Sequence, residues 1–191
     1  MFKHIDIAHP QVVKYAVNIL EESGVIVYPT DTLYGFGADA INESAIDKIN
    51  HIKQRSAPMS VMASNKKMAI DWININNERI ETFKPYLGGA QTLIAPVKPN
   101  IVSTKILGEN NTLGIRIPDN DFCNELSHKF GRPIISTSVN RTGEQPMNSP
   151  IQIESEFGLE IDLLIDGGTL PDSHGSKIYQ LKDNNITILR K

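Results

Sequence analysis

One cysteine, Cys123, serves the whole chain. No intramolecular disulfide can form, which suits a reducing compartment. Long apolar runs are missing too. Stretches such as 93–95 and 163–165 fall far short of the ~20 residues that cross a bilayer. Residues 1–6 carry no apolar core of the kind a secretory signal needs. The expectation is a cytoplasmic protein with no membrane contact. An excess of basic charge is also absent. Lys and Arg number 19 against 22 Asp and Glu, whereas a protein held to nucleic acid mainly through phosphates is usually basic. Aromatic residues are sparse and are not interleaved with basic ones, which argues against a stacking platform for single strands. His4, His9, His51, His128 and His174 are scattered, with no CxxC or HxxxH spacing, so no protein-built metal site is expected. GxxxxGK[ST] is absent, which excludes a P-loop NTPase. No GxGxxG follows a strand, and no GxSxG marks a nucleophile elbow.

What remains is an ordinary globular composition, 40% apolar and 21% charged, over 191 residues. That is enough chain for one domain, 1–191, with a sizeable core. Apolar residues at Val12, Val13, Ala16, Val17, Ile19 and Leu20 predict a helix over 11–22, closed by Ser23-Gly24. A buried strand follows over 25–28, ended by Pro29. A helix over 44–52 carries Ile46, Ile49 and Ile52, with Asn42 or Ser44 as its cap. Further strands are expected over 59–63, 92–97, 112–117 and 133–136. Short helices are expected over 66–73 and 78–83. Asp119 is read as the cap of a helix ending at Phe130 and Gly131, and 151–157 as another helix. Three late strands, 163–165, 177–181 and 186–189, follow, the last two joined as a hairpin across 183–185. Alternating elements early and clustered strands late give an α/β class. The expected architecture is a single-domain twisted mixed parallel/antiparallel sheet with flanking helices.

Four polar clusters sit at the edges of predicted strands, where α/β sheets usually place ligands. The first is PTDTLYG from Pro29, with Thr30 and Thr32 two apart and so on one side of an extended segment. The second is Lys53-Gln54-Arg55, at a helix end where cations also suit the dipole. The third is STSVNRTG from Ser136, where Ser138 and Asn140 share a face. The fourth is Gly175-Ser176-Lys177, with Arg190 further on. Hydroxyls with Lys and Arg suit positioning and charge neutralisation, which is how nucleotidyl and phosphoryl transfer are largely catalysed.

The segments PTDTLYGFGADA, IKQRSAPMS, TLGIRIP, PIISTSVNRTGEQP and GSKIYQL with ITILR occur in one order. In that order and spacing the chain resembles the YrdC-like family, the L-threonylcarbamoyladenylate synthases, from about Gly24 to Arg190. The resemblance implies that L-threonine, bicarbonate (or CO2) and ATP are joined into threonylcarbamoyl-AMP with release of pyrophosphate. The product would pass to a tRNA threonylcarbamoyl-transferase complex for N6-threonylcarbamoyladenosine. It also implies Mg2+ or another divalent ion with the ATP, and the short single-domain form. By position it assigns Thr30, Arg116, Ser138 and Ser176 to L-threonine. It assigns Lys53, Arg55, Thr112, Asn140, Asn148 and Arg190 to ATP, with Lys53 and Arg55 as the catalytic basic pair.

The chain departs from the family pattern at several points. Gly88-Gly89-Ala90-Gln91 stands where relatives read close to PGPx before a Thr. Ser56 replaces a Pro, Met62 stands near a position often taken by a polar residue, and Lys177 replaces a Thr. Two rival readings are a non-catalytic RNA-binding module using the same basic concavity, with weak RNA binding, and a carbamoyl-adenylate-forming relative. The latter type carries extra domains that these residues do not contain.

Overall fold

The computed structural model describes residues 2–56, 58–182 and 185–191. Its strands are, in chain order, β1 (Lys3–Asp6), β2 (Ile26–Pro29), β3 (Tyr34–Gly37), β4 (Ser60–Met62), β5 (Gln91–Pro96), β6 (Thr112–Arg116), β7 (Ile134–Ile135), β8 (Thr137–Ser138), β9 (Leu163–Asp166), β10 (Lys177–Lys182) and β11 (Asn185–Arg190). The α-helices are α1 (Val12–Glu21), α2 (Glu43–Lys53), α3 (Lys66–Trp72), α4 (Ile80–Phe83), α5 (Asp121–Phe130) and α6 (Pro150–Phe157). The class is mixed α/β, but the strands divide between two sheets where the sequence suggested one. The first runs β1-β9-β2-β3-β8 and the second β11-β10-β5-β6-β4-β7. Each mixes directions: β2 runs parallel to β9 and antiparallel to β3, while β5 runs parallel to β10 and antiparallel to β6.

The apolar run at β2 follows from burial on both faces. Ile26 and Tyr28 pack with Val12, Ala16 and Leu20 of α1 and with Phe122 and Leu126 of α5. Val25 and Val27 face the other way, into the larger core with α2, α6 and the second sheet. Tyr28 takes its room from β3. A Cβ at Gly37 would stand 2.7 Å from Tyr28 Cε1, so that strand position has no side chain.

The helix ends carry the local chemistry the sequence suggests, with one shift. After α1, Ser23 takes the left-handed turn (φ 62°). The Gly24 N–H then returns to Ile19 O at 2.8 Å, an approach that leaves no space for a Cβ. Asn42 caps α2 by accepting the Ala45 N–H at 3.0 Å. The cap of α5 is Asn120, not Asp119: Asn120 Oδ1 accepts the Cys123 N–H at 3.0 Å. The Asp119 N–H turns away and donates to Asp31 Oδ2 at 3.1 Å.

Three strands lie where no strand was expected. β1 has little apolar pattern to read, and β8 has only two residues. β3 lies in the polar cluster behind Pro29, and all four of its residues are buried between β2 and β8. The hairpin of β10 and β11 pairs Lys182 with Asn185. Two residues of its expected turn, Asp183 and Asn184, lie outside the described residues.

The two sheets meet at Ser136. Residues 134–135 belong to the second sheet and 137–138 to the first. Between them the Ser136 N–H donates to Ser60 O at 2.8 Å. This crossing point, the end of β2 and the end of β6 lie around one cleft.

Candidate functional site

A cavity of about 260 Å3 opens at this seam. Its wall takes Thr30 and Thr32 from the turn after β2, Arg116 from the end of β6, and Ser138 from β8. Ser176 enters before β10, Arg190 from the end of β11, and Arg55 from beyond α2. Six residues far apart in sequence, Thr30, Arg55, Arg116, Ser138, Ser176 and Arg190, are thus brought together.

The turn after β2 is built around Thr30. Its hydroxyl donates to Leu33 O at 2.7 Å and accepts the Thr32 and Leu33 N–H groups at 3.1 and 3.2 Å. This is a Thr turn rather than extended chain. It still places the Thr30 and Thr32 hydroxyls 3.3 Å apart. Thr32 Oγ1 then accepts Arg116 Nη2 at 3.0 Å. The same Nη2 donates to Asp31 Oδ1 at 2.6 Å. Arg116 is only 8% exposed, and its Nε is buried without a partner among the described residues. A buried guanidinium donor left unmade is costly, so it marks a place for an anionic ligand.

Beside it on the same wall, Arg190 donates to Ser176 O from Nε at 2.9 Å and from Nη2 at 2.6 Å. Ser176 Oγ lies 2.7 Å from Thr92 Oγ1. Thr92 is the cross-strand partner of Arg116, so the two stand side by side on the sheet. Burial, together with the nearby Arg116 guanidinium, pulls the Arg190 pKa below its ordinary value. The cavity wall contains three Arg residues and no Asp or Glu. It is therefore electropositive and suited to carboxylate and phosphate groups.

Four residues assigned to ATP by resemblance do not line the cavity. Lys53 is 1% exposed. Its ammonium donates to Ser138 O (2.7 Å), Asn140 O (3.0 Å) and Asn140 Oδ1 (3.1 Å), which uses all three of its protons. It stands behind the wall as a strut, and burial, with Arg55 nearby, pulls its pKa down to about 8. Asn140 shares a face with Ser138, whose hydroxyl donates to its Oδ1 at 2.6 Å. Its amide nitrogen is spent on Arg141 O and Glu144 O. Asn148 donates to Leu170 O at 2.8 Å and to Asp172 Oδ1 at 3.2 Å, tying two loops together. Thr112 lies at the far end of β6, four residues and roughly 13 Å from Arg116. Its hydroxyl is turned back to Glu109 O.

Residue reading paired Thr32 with Thr30 but gave Asp31, Tyr34 and Thr92 no role of their own. Asp31 and Tyr34 sit inside PTDTLYG, where the motif itself was the signal. Tyr34 accepts the Gly167 N–H at 2.9 Å and donates to Gly168 O at 2.8 Å, holding the strap that leads to Ser176. Thr92 carried no signal beyond its place at a strand end. Cys123 lies under this floor with its thiol against Pro29 O at 3.4 Å, and burial raises its pKa far above the usual thiol range. It is not a nucleophile. Among the described residues no cluster of three or more His, Cys, Asp or Glu could hold a metal ion.

The profile of the Sua5/YciO/YrdC family, described as telomere recombination, matches residues 18–191. A threonylcarbamoyl-AMP synthase of Idiomarina loihiensis is 27% identical over 170 residues, covering 86% of this chain and 91% of its own length. A putative threonylcarbamoyl-AMP synthase of Methanocaldococcus jannaschii is 31% identical over 169 residues, covering 87% and 79%. Among solved structures, E. coli YciO superposes with a TM-score of 0.88 at 26% identity, covering 100% of this chain and 95% of that one.

Proposed function

The chain belongs to the Sua5/YciO/YrdC family, and from that membership and its cleft we propose that it is an L-threonylcarbamoyladenylate synthase. It joins L-threonine, bicarbonate or CO2, and ATP into threonylcarbamoyl-AMP and releases pyrophosphate. The observation that carries this reading is Arg116: a buried guanidinium with an unpartnered Nε, ringed by hydroxyls, in a cavity whose other cations are Arg55 and Arg190. That set matches an amino-acid carboxylate beside a polyphosphate.

Arg116 takes the threonine carboxylate, each charge-assisted hydrogen bond contributing about 1.5–3 kcal/mol. The Ser138 and Ser176 hydroxyls orient the amine and the side-chain hydroxyl, and Thr30, whose hydroxyl is spent on its own turn, shapes the wall beside them. Arg55 and Arg190 face the phosphates. Lys53, Asn140 and Asn148 hold the walls around the phosphates. The neutral amine adds to CO2 and loses a proton, giving a carbamate. A carbamate oxygen then attacks the α-phosphorus, and pyrophosphate leaves with the electron pair of the broken P–O bond. No side-chain nucleophile enters. The chain contributes alignment, which can equal effective molarities of roughly 10^5 M or more, and preorganised positive charge. A divalent ion such as Mg2+ enters as part of the nucleotide substrate. The described residues offer it no cluster of ligands, and Asp31, at the back of the cleft, is committed to Arg116.

Threonylcarbamoyl-AMP is a mixed anhydride and hydrolyses readily, so a tRNA threonylcarbamoyl-transferase in the same cytosol is the fitting consumer. No helix among the described residues is long and apolar enough to cross a membrane. The test is pyrophosphate release from ATP by the purified protein, with and without L-threonine and bicarbonate, and with serine for comparison. The expected result is release that requires both. Release independent of threonine, or none from a protein that binds ATP, overturns the reading.

A further inference from the structure

We propose that Asp31 is a positioning residue that aims Arg116 at the substrate carboxylate by holding Nη2 while leaving Nε free. The inference rests on the threonine reading above. Asp31 and Arg116 are each only 10% exposed at the side chain, and Oδ1 meets Nη2 at 2.6 Å. The pairing is through one guanidinium nitrogen. A two-pronged pairing through Nη2 and Nε, a common strong form, would take up Nε as well. What prevents it is the other oxygen of Asp31, which accepts the Asp119 N–H at 3.1 Å. The carboxylate is thereby strung between the end of β6 and the approach to α5, and cannot rotate to chelate the guanidinium. Thr32 takes the same Nη2 from another side at 3.0 Å. The fork is fixed at that nitrogen, and Nε is left buried and unpartnered.

Electrostatics points the same way. Arg116 and Arg190 share one cavity wall, and the proximity of Arg116 works against the charge on Arg190. A buried cation beside another cation needs a counter-charge to stay in place. The wall supplies none, since it contains no carboxylate. Asp31 does so from behind. It does not line the cavity, so it neutralises without competing for the ligand. This accounts for the acidic residue between two threonines in a site that otherwise gathers positive charge.

The test uses the full chain and two substitutions. Asp31→Asn keeps the shape and can still accept the Asp119 N–H, but it loses the charge and the Arg116 bond. Asp31→Glu keeps the charge on a longer arm. L-threonine binding is read by calorimetry without ATP, alongside ATP binding, melting temperature and turnover. The expected result is a threonine Kd raised about 10- to 100-fold in Asp31→Asn, the range for one charge-assisted hydrogen bond. ATP affinity should stay within about twofold, and Asp31→Glu should recover part of the loss. L-threonine amide, which lacks the carboxylate, should bind wild type and Asp31→Asn alike. Unchanged threonine binding in Asp31→Asn, or a parallel loss of threonine, amide and ATP binding, overturns the proposal. If Asp31→Asn does not fold, Asp31→Glu carries the same comparison at smaller size. If the wild type binds threonine but never releases pyrophosphate with it, the synthase reading falls, while the calorimetric test of Asp31 still stands.

Discussion

Replacing Lys53 with Met separates two roles for the same ammonium, a phosphate contact and a strut. Met keeps the length and removes the charge. The strut makes three hydrogen bonds, to Ser138 O, Asn140 O and Asn140 Oδ1. Bonds to a charged group contribute about 1.5–3 kcal/mol each, so their loss costs roughly 5–9 kcal/mol. An opposing effect is present. Burial pulls the Lys53 pKa down to about 8, so the folded protein carries a penalty of at most about 3 kcal/mol for the charged form, which Met removes. The hydrogen bonds win. The net loss is about 2–6 kcal/mol, or a melting temperature lower by about 4–24 °C for a chain of this size. Thermal unfolding by circular dichroism, run beside the pyrophosphate assay, measures both consequences. A strut predicts that activity and melting temperature fall together, and that adding Mg-ATP protects the variant and the wild type to the same degree. A variant with an unchanged melting temperature and no activity would refute the strut and return Lys53 to the phosphates.

Two shorter predictions accompany it. Arg116→Lys replaces a planar fork by a point charge, so the threonine KM should rise about 10- to 100-fold with the ATP KM unchanged; steady-state kinetics with each substrate varied would show it. His4 bridges β1 to α6 and β9, with Nδ1 2.7 Å from Glu154 and Nε2 2.8 Å from Asp166. Partial burial opposes its charge, but the two carboxylates outweigh it and raise its pKa. Stability from this group should be complete below the ordinary imidazole range and lost as pH rises through the raised value. The melting temperature of His4→Ala should therefore fall below wild type at pH 5.5, and the gap should close at alkaline pH.

Some of this molecule was legible in advance, for physical reasons. Helices α1 and α2 announced themselves because their buried faces repeat at helical spacing and their ends carry Ser-Gly and Asn signals. β2 was legible as an apolar run because both of its faces are buried. β3 was not: its Gly37 serves close packing against Tyr28, and in a sequence that use looks the same as loop flexibility. The division into two sheets was hidden because the chain crosses between them more than once, and at Ser136 it does so within a single residue that no sequence signal marks. Motif order brought Thr30, Arg55, Arg116, Ser138, Ser176 and Arg190 to one wall. It did not reveal which polar residues face the cavity and which hold it up. In the sequence Lys53 and Asn140 read the same as ligand contacts, and in the structure their donors bond to the wall itself. Asp31 was overlooked because a lone acid among basic groups has no spacing pattern of its own.

The unbalanced charge of the cleft leads to a last prediction. Arg55, Arg116 and Arg190 share a wall without a carboxylate, and the pKa of Arg190 is already pulled down by burial and by Arg116. A polyanion that bridges them relieves repulsion as well as adding contacts, and it binds the folded chain alone. At a hundred times its Kd such a ligand stabilises by about 2.7 kcal/mol, a rise of roughly 5–10 °C in melting temperature. Pyrophosphate should give this rise by scanning fluorimetry, while sodium chloride at equal ionic strength should not. Simple screening would lift the melting temperature in both salts, because exposed charges respond to ionic strength rather than to shape. Arg190→Gln keeps a donor for Ser176 O but removes one cation, and should lose most of the pyrophosphate effect. Equal shifts in the two salts, or a full shift in Arg190→Gln, would mean that the three guanidiniums do not act on one anion, and the placing of the phosphates at this wall would have to be given up.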